Sequence, residues 1–182
     1  MTTTRERALN AALELVGEQG IRALVHARVD ERAGLPKGST SNWFRTRDAL
    51  VAGVVGWIAE RERDDFYAGA APTVTTPDQL IDAFSSLISA ETSLFAGRTR
   101  ARYALFLEGA NDPQLLEPLL QQRAAYVEWA IALLAGVGAA RPADAVRALM
   151  AAAEGLVMHR LTVDPDAPVR PVVERIVRAC LD

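Results

Sequence analysis

Between Ala33 and Leu50 the chain reads AGLPKGSTSNWFRTRDAL. Lys37, Arg45 and Arg47 bracket a run of small hydrogen-bonding side chains, Ser39, Thr40, Ser41 and Asn42. Hydroxyls and an amide both donate and accept hydrogen bonds, and the cations add charge. Such a run makes a poor core and suits a surface that meets something polar and negative. The formal net charge of the 182 residues is −3. Residues 1–50 nevertheless hold eight basic and six acidic side chains, a net of +2, which leaves −5 for the remainder. The polar run therefore lies in the basic part.

Other chemistry finds little support. The two histidines, His26 and His159, are far apart in sequence. No HExxH, no nucleophile elbow and no Walker-type glycine loop occurs. Glu91 and Glu108 read as separate helical carboxylates, solvated or paired with Arg98 or Arg102. A catalytic role, a cofactor and a metal are therefore not expected. Cys180 is the only cysteine, so neither an intrachain disulfide nor a zinc site of cysteines can form. The start, MTTTRERALNAAL, lacks the apolar stretch of a signal peptide, and no apolar run reaches membrane-spanning length. A soluble, cytoplasmic protein without membrane contact is the simplest expectation.

The elements that must position the polar run read as helices throughout. Thr3 and Glu6 have capping-box spacing, and Ala8, Leu9, Ala12, Leu13 and Val16 form an apolar stripe that ends at Gly20. A short second helix is predicted from Val25 to Ala33, with Gly34 as the break. Pro36 suits the first turn of a third helix that runs to Trp43 and Phe44. Thr46 caps a long fourth helix to about Ala68. A linker, GAAPTVTTP, precedes a fifth helix that is announced by Thr76, Pro77 and Gln79. Four more follow, opened near Arg98, Pro113, Pro142 and Pro168. The fold class is thus all-α, about nine helices.

Two short helices joined by a glycine turn, the second bearing small polar residues, describe a helix-turn-helix. Its second helix would place Ser, Thr and Asn against base edges or phosphates in a major groove. Its first N–H groups would receive a phosphate, while Arg45 and Arg47 clamp the flanking backbone. A polar, solvated hairpin fits the same pattern. Trp43 has two readings as well: burial beside Phe44, which its size favours, or an indole N–H on a phosphate.

The segment from about Arg5 to Ala52 resembles the DNA-binding domain of the TetR family of bacterial transcriptional regulators. Gly20, Ala33, Gly34, Leu35, Lys37, Gly38, Phe44, Arg47, Asp48, Ala49 and Leu50 match its pattern at the right spacing. The resemblance implies DNA contacts from His26, Arg28, Lys37, Gly38, Ser39, Thr40, Ser41, Asn42, Trp43, Arg45 and Arg47. It has departures. Ser41 and Trp43 stand where many members carry a tyrosine and a histidine. Val25 replaces a capping threonine, for which His26 and Arg28 are the substitutes. Asp30 replaces a small residue.

The resemblance also implies a DNA-binding domain over 1–46 and a ligand-binding, dimerising domain over 47–182. An apolar pocket would be lined by Phe84, Ile88, Tyr103, Phe106, Leu107, Tyr126, Trp129, Met150 and Met158; an ordinary filled core is the competing reading. On the eighth helix Ala145, Ala148, Ala152, Gly155 and His159 form a row of mainly small side chains that lets another helix approach. With Val173, Ile176, Val177 and Cys180 it would form a two-fold interface, unless the row is an intrachain contact. The expected function is a homodimeric regulator, a repressor of a pseudopalindromic operator in double-stranded DNA. A small, largely apolar effector would release it. The alternative is a helical small-molecule-binding protein whose hairpin no longer binds DNA specifically.

Overall fold

Thr3 opens the first helix, α1 (Thr4–Gln19), as its spacing to Glu6 foretold. The Thr3 hydroxyl accepts from the Glu6 N–H at 3.2 Å, and the Glu6 carboxylate accepts from the Thr3 N–H at 2.6 Å. The computed structural model describes residues 2–68 and 74–181. Among them are nine α-helices: α1, α2 (His26–Arg32), α3 (Ser39–Trp43), α4 (Arg47–Ala68), α5 (Pro77–Thr92), α6 (Ala96–Glu108), α7 (Pro113–Gly136), α8 (Pro142–Thr162) and α9 (Val169–Leu181). The first five residues of the expected linker, 69–73, lie outside the described residues. The all-α expectation holds. One boundary differs: Pro36 lies in the turn, and α3 begins only at Ser39.

The helices fall into two compact units. The first comprises residues 1–68 and 97–122, so it takes in α4 and nearly all of α6 as well as the helix-turn-helix segment. Its core joins Leu9, Ala12, Leu15 and Val16 of α1, Val29 of α2, and Leu50, Val54, Val55 and Ile58 of α4, with Ala101 and Leu105 of α6. Burial of such side chains contributes about 1.5–3 kcal/mol each. Trp57 is buried too, and its indole N–H donates to Asn10 Oδ1 at 2.8 Å, tying α4 to α1.

Two ion pairs lock α6 onto α4. Arg102 reaches Glu62 at 2.6 Å and Arg98 reaches Asp65 at 2.6 Å. These arginines therefore serve to hold α4. Glu108 lies 4.0 Å from Arg47.

The second unit comprises residues 69–96 and 123–182. Thr76 and Gln79 form the capping box that starts α5. Leu80, Ile81, Phe84 and Ile88 give α5 its buried face. Helices α5, α8 and α9 pack mutually. Val146, Leu149, Leu156 and Val157 are the buried residues of α8, and Val173 and Val177 those of α9. The latter two are thus covered within the protomer, which corrects their assignment to a subunit interface: α9 spends its apolar stripe on its own neighbours. Glu174 bridges Arg170 and Arg178 at 3.2 and 2.8 Å, and these arginines reach Asp82 and Asp78 of α5.

Glu62 and Arg102 are 8% and 14% exposed, so their pair is screened little by water. Glu62→Ala is expected to lower the unfolding free energy by about 3 kcal/mol, because it withdraws the carboxylate from a largely buried guanidinium. Glu174→Ala, on the surface, should cost less than about 1 kcal/mol. Urea denaturation of both variants checks the contrast.

Candidate nucleic-acid interface

Helix α2 starts without a side-chain cap, because Val25 at its N-cap offers no acceptor. It ends in a tight turn. Gly34 takes φ +61°, its N–H bonds to the Glu31 carbonyl, and the Leu35 N–H bonds to the Asp30 carbonyl at 2.8 Å. This is the Schellman pattern. Arg7 of α1 braces the turn by donating to the carbonyls of Ala33 and Gly34.

Helix α3 has five residues and a glycine, Gly38, at its N-cap with φ +88°. Neither can supply a local cap. The cap comes from α2: the buried Asp30 carboxylate accepts from the Gly38 N–H at 2.7 Å, the Thr40 N–H at 2.8 Å and the Thr40 hydroxyl at 2.6 Å. Burial alone would raise the Asp30 pKa. The bonds from Thr40 and Gly38, with His26 nearby, outweigh it and hold the carboxyl below its ordinary value.

This arrangement corrects two expectations. Of the N–H groups that were to receive a phosphate, those of Gly38 and Thr40 are occupied by Asp30 and that of Ser39 by the Pro36 carbonyl. Thr40 is fully buried, its hydroxyl committed to Asp30, so it does not belong to the reading surface. Asp30 itself, which counted as a departure that weakened the DNA-binding reading, is what organises α3.

The far end of α3 is held from both sides. Phe44 is buried against Gly53, where a Cβ would lie 2.4 Å from the ring. The Arg5 guanidinium sits over the same ring at 5.9 Å. His26 Nε2 lies 2.6 Å from the Phe44 carbonyl oxygen. A carbonyl only accepts, so Nε2 carries the proton and donates. The His26 ring thus ties α2 to the end of α3.

What faces outward is now defined. Lys37, Gly38, Ser41, Asn42, Arg45 and Arg47 are exposed. Trp43 is 56% exposed, so its burial beside Phe44 is overturned; Phe44 already fills that site. Ser39 is half-buried and donates to the Pro36 carbonyl at 2.7 Å. Arg28 donates to the neutral Gln19 side chain and keeps its charge uncompensated by it. Arg47 donates to the Ile21 carbonyl at 3.3 Å, which ties it to the segment between α1 and α2.

The candidate pocket residues divide between the two units. In the second, Phe84 stacks on Trp129 with centroids 5.9 Å apart, and Ile88 is buried. Tyr126 and Met150 are half-buried, and Met158 is more open. The neighbouring Ser85 hydroxyl, not anticipated, is buried with no hydrogen-bond partner among the described residues. Tyr103, Phe106 and Leu107 belong to the first unit. Phe106 packs on that unit's core, and Leu107 is 77% exposed, so it lines no enclosed cavity. On α8, Ala148, Gly155 and His159 are exposed and Ala152 half-buried. Ile176 and Cys180 are half-buried, and the Cys180 thiol meets the Ala145 carbonyl at 3.5 Å. Beside them Ala148, Arg141, Asp144 and Cys180 help line a half-open cleft of about 230 Å³. Among the described residues no cluster of three or more His, Cys, Asp or Glu side chains could hold a metal, and no helix is long and apolar enough to cross a membrane.

Residues 75–182 match the family model described as "Tetracyclin repressor-like, C-terminal domain". The chain belongs to the TetR family of transcriptional regulators. A curated TetR-type relative, the HTH-type transcriptional regulator BetI of Rhizobium meliloti (strain 1021), is 28% identical over 145 residues, 79% of this chain and 70% of BetI. A transcriptional regulator from Rhodococcus sp. Rha1 has the same fold, with TM-score 0.81 and 19% identity over 98% of this chain and 96% of that one. The multidrug binding protein EbrR, complexed with ethidium, superposes with TM-score 0.68 at 26% identity, covering 99% of both chains.

Asp30→Asn places an amide donor where three donors already converge, and one bond to α3 is lost. The variant should be less stable by about 1–3 kcal/mol at neutral pH. The wild-type contribution is present above the unfolded-state value of 3.8 and disappears as pH falls through the lower folded-state value. Denaturation series from neutral to strongly acidic pH should therefore show the two proteins converging only on the acid side of 3.8.

Proposed function

We propose that this TetR-family protein is a cytoplasmic homodimeric repressor that inserts α3 of each protomer into the major groove of a pseudopalindromic operator. The reading rests on one observation: a short helix pinned by Asp30 and His26 turns Ser41, Asn42 and Trp43 outward among Lys37, Arg45 and Arg47. Asn42 is the side chain able to bond an adenine edge in bidentate fashion, and the arginines neutralise phosphates. The reading and dimerising functions would follow the division at residues 46 and 47, with α4 serving to transmit the signal.

The row of Ala148, Ala152, Gly155 and His159 supports a helix-to-helix interface across a two-fold axis, with Ile176 and Cys180 at its edge. The Phe84–Trp129 stack, with Ile88, Tyr126, Met150 and Met158, supports a flat, largely apolar effector, to which the Ser85 hydroxyl offers a polar handle. EbrR's complex with ethidium is in keeping with that chemistry. The effector would act by preferring the state whose reading heads are wrongly spaced for DNA; equal affinity for both states would shift nothing.

The test is selection of genomic fragments by the purified protein, followed by a salt titration. Affinity for a selected fragment should fall about a thousandfold over a roughly fourfold rise in salt. Arg47→Ala should weaken all sequences alike, and Asn42→Ala should cost about 1–3 kcal/mol at one base position and relax preference there. Selection of no fragment at moderate salt would refute the repressor and favour the small-molecule-binding alternative.

A further inference from the structure

Asp30 takes two backbone N–H groups at the start of α3, those of Gly38 and Thr40, together with the Thr40 hydroxyl. Of the five α3 side chains, Thr40 is buried and Ser39 turns back to the Pro36 carbonyl. Ser41, Asn42 and Trp43 remain, and Trp43 supplies by far the largest surface. It is joined by a second exposed apolar residue. Val25 is 47% exposed at the N-cap of α2. The two flank one bond: Val25 precedes His26, Trp43 precedes Phe44, and His26 Nε2 meets the Phe44 carbonyl at 2.6 Å. Each partner of that bond is thus preceded in the chain by an exposed apolar side chain, and the exposed cations Arg22, Arg28, Arg45 and Arg47 come from the same segment.

The cations select a polyanion. The exposed apolar side chains among them select a polyanion that carries apolar groups where a helix can reach. In a DNA major groove that group is the C5-methyl of thymine. We infer that Trp43 on α3, with Val25 at the start of α2, packs on thymine methyl groups, so that the protein reads A·T pairs by apolar contact. Hydrogen bonding there is left to phosphates and to Asn42. The inference rests on the DNA-binding reading above and specifies its chemistry.

The test uses the full-length protein and a pool of random-sequence duplexes. Bound duplexes are recovered, and one enriched sequence is synthesised twice, with thymine and with uracil, which removes the C5-methyl groups. Wild-type protein should bind the uracil duplex more weakly by about fourfold for each methyl buried. Trp43→Ala, at an exposed position that leaves the core intact, should lose most of the difference between the two duplexes. Trp43→Phe should keep part of the preference, and Val25→Ser should reduce it. Equal wild-type affinity for the two duplexes overturns the inference while leaving DNA binding standing. An undiminished preference in Trp43→Ala overturns it too. Enrichment of no sequence overturns the DNA-binding reading and this inference together.

Discussion

The Asp30 carboxylate is the contact on which the reading surface depends. A five-residue helix cannot sustain itself, since its first turn fixes many dihedrals for almost no internal hydrogen bonds. Gly38 offers no side chain to cap it. One buried anion on the preceding helix supplies three acceptor contacts, closes the Gly38–Thr40 turn and opposes the positive end of α3. The opposite end relies on the His26 bond to Phe44 and on the seat that Gly53 leaves for the Phe44 ring. The angle at which α3 presents its side chains is therefore set by α2 and α4, not by α3.

That solution has a functional consequence. An internal carboxylate takes two of the N–H groups an external phosphate would use, so under the proposed function recognition would fall to side chains and to the arginines beyond the helix. It also explains how a basic corner persists on a chain of net charge −3: the acidic group nearest the reading helix is buried and hydrogen-bonded, whereas Lys37, Arg45 and Arg47 face solvent.

The parts of the fold that follow from local rules were legible in the residues. Thr3 with Glu6 and Thr76 with Gln79 are three apart, and a capping box needs nothing more distant. The glycine turn and the stripe of α1 are equally local. Asp30 was not legible, because its partners lie eight and ten residues away in another element and no periodicity links them. Trp43 was misjudged because size argues for burial, yet only one of two adjacent aromatics could occupy the site over Gly53. Val173 and Val177 show a similar ambiguity: an apolar stripe announces that a face is covered, and cannot say whether by its own chain or by a second copy. Leu107 fitted a helical period without the neighbours that would enclose it.

The central claim, that α3 is fixed by Asp30 before DNA arrives and meets DNA with the residues that follow Thr40, is tested most directly by amide hydrogen exchange. The account predicts slow exchange at the Thr40 N–H in the free protein. Adding a selected duplex should then bring new protection at Ser41, Asn42 and Trp43 with little change at Thr40. A Thr40 amide that exchanges like an open loop in the free protein, or DNA-induced protection that spares α3, would contradict it.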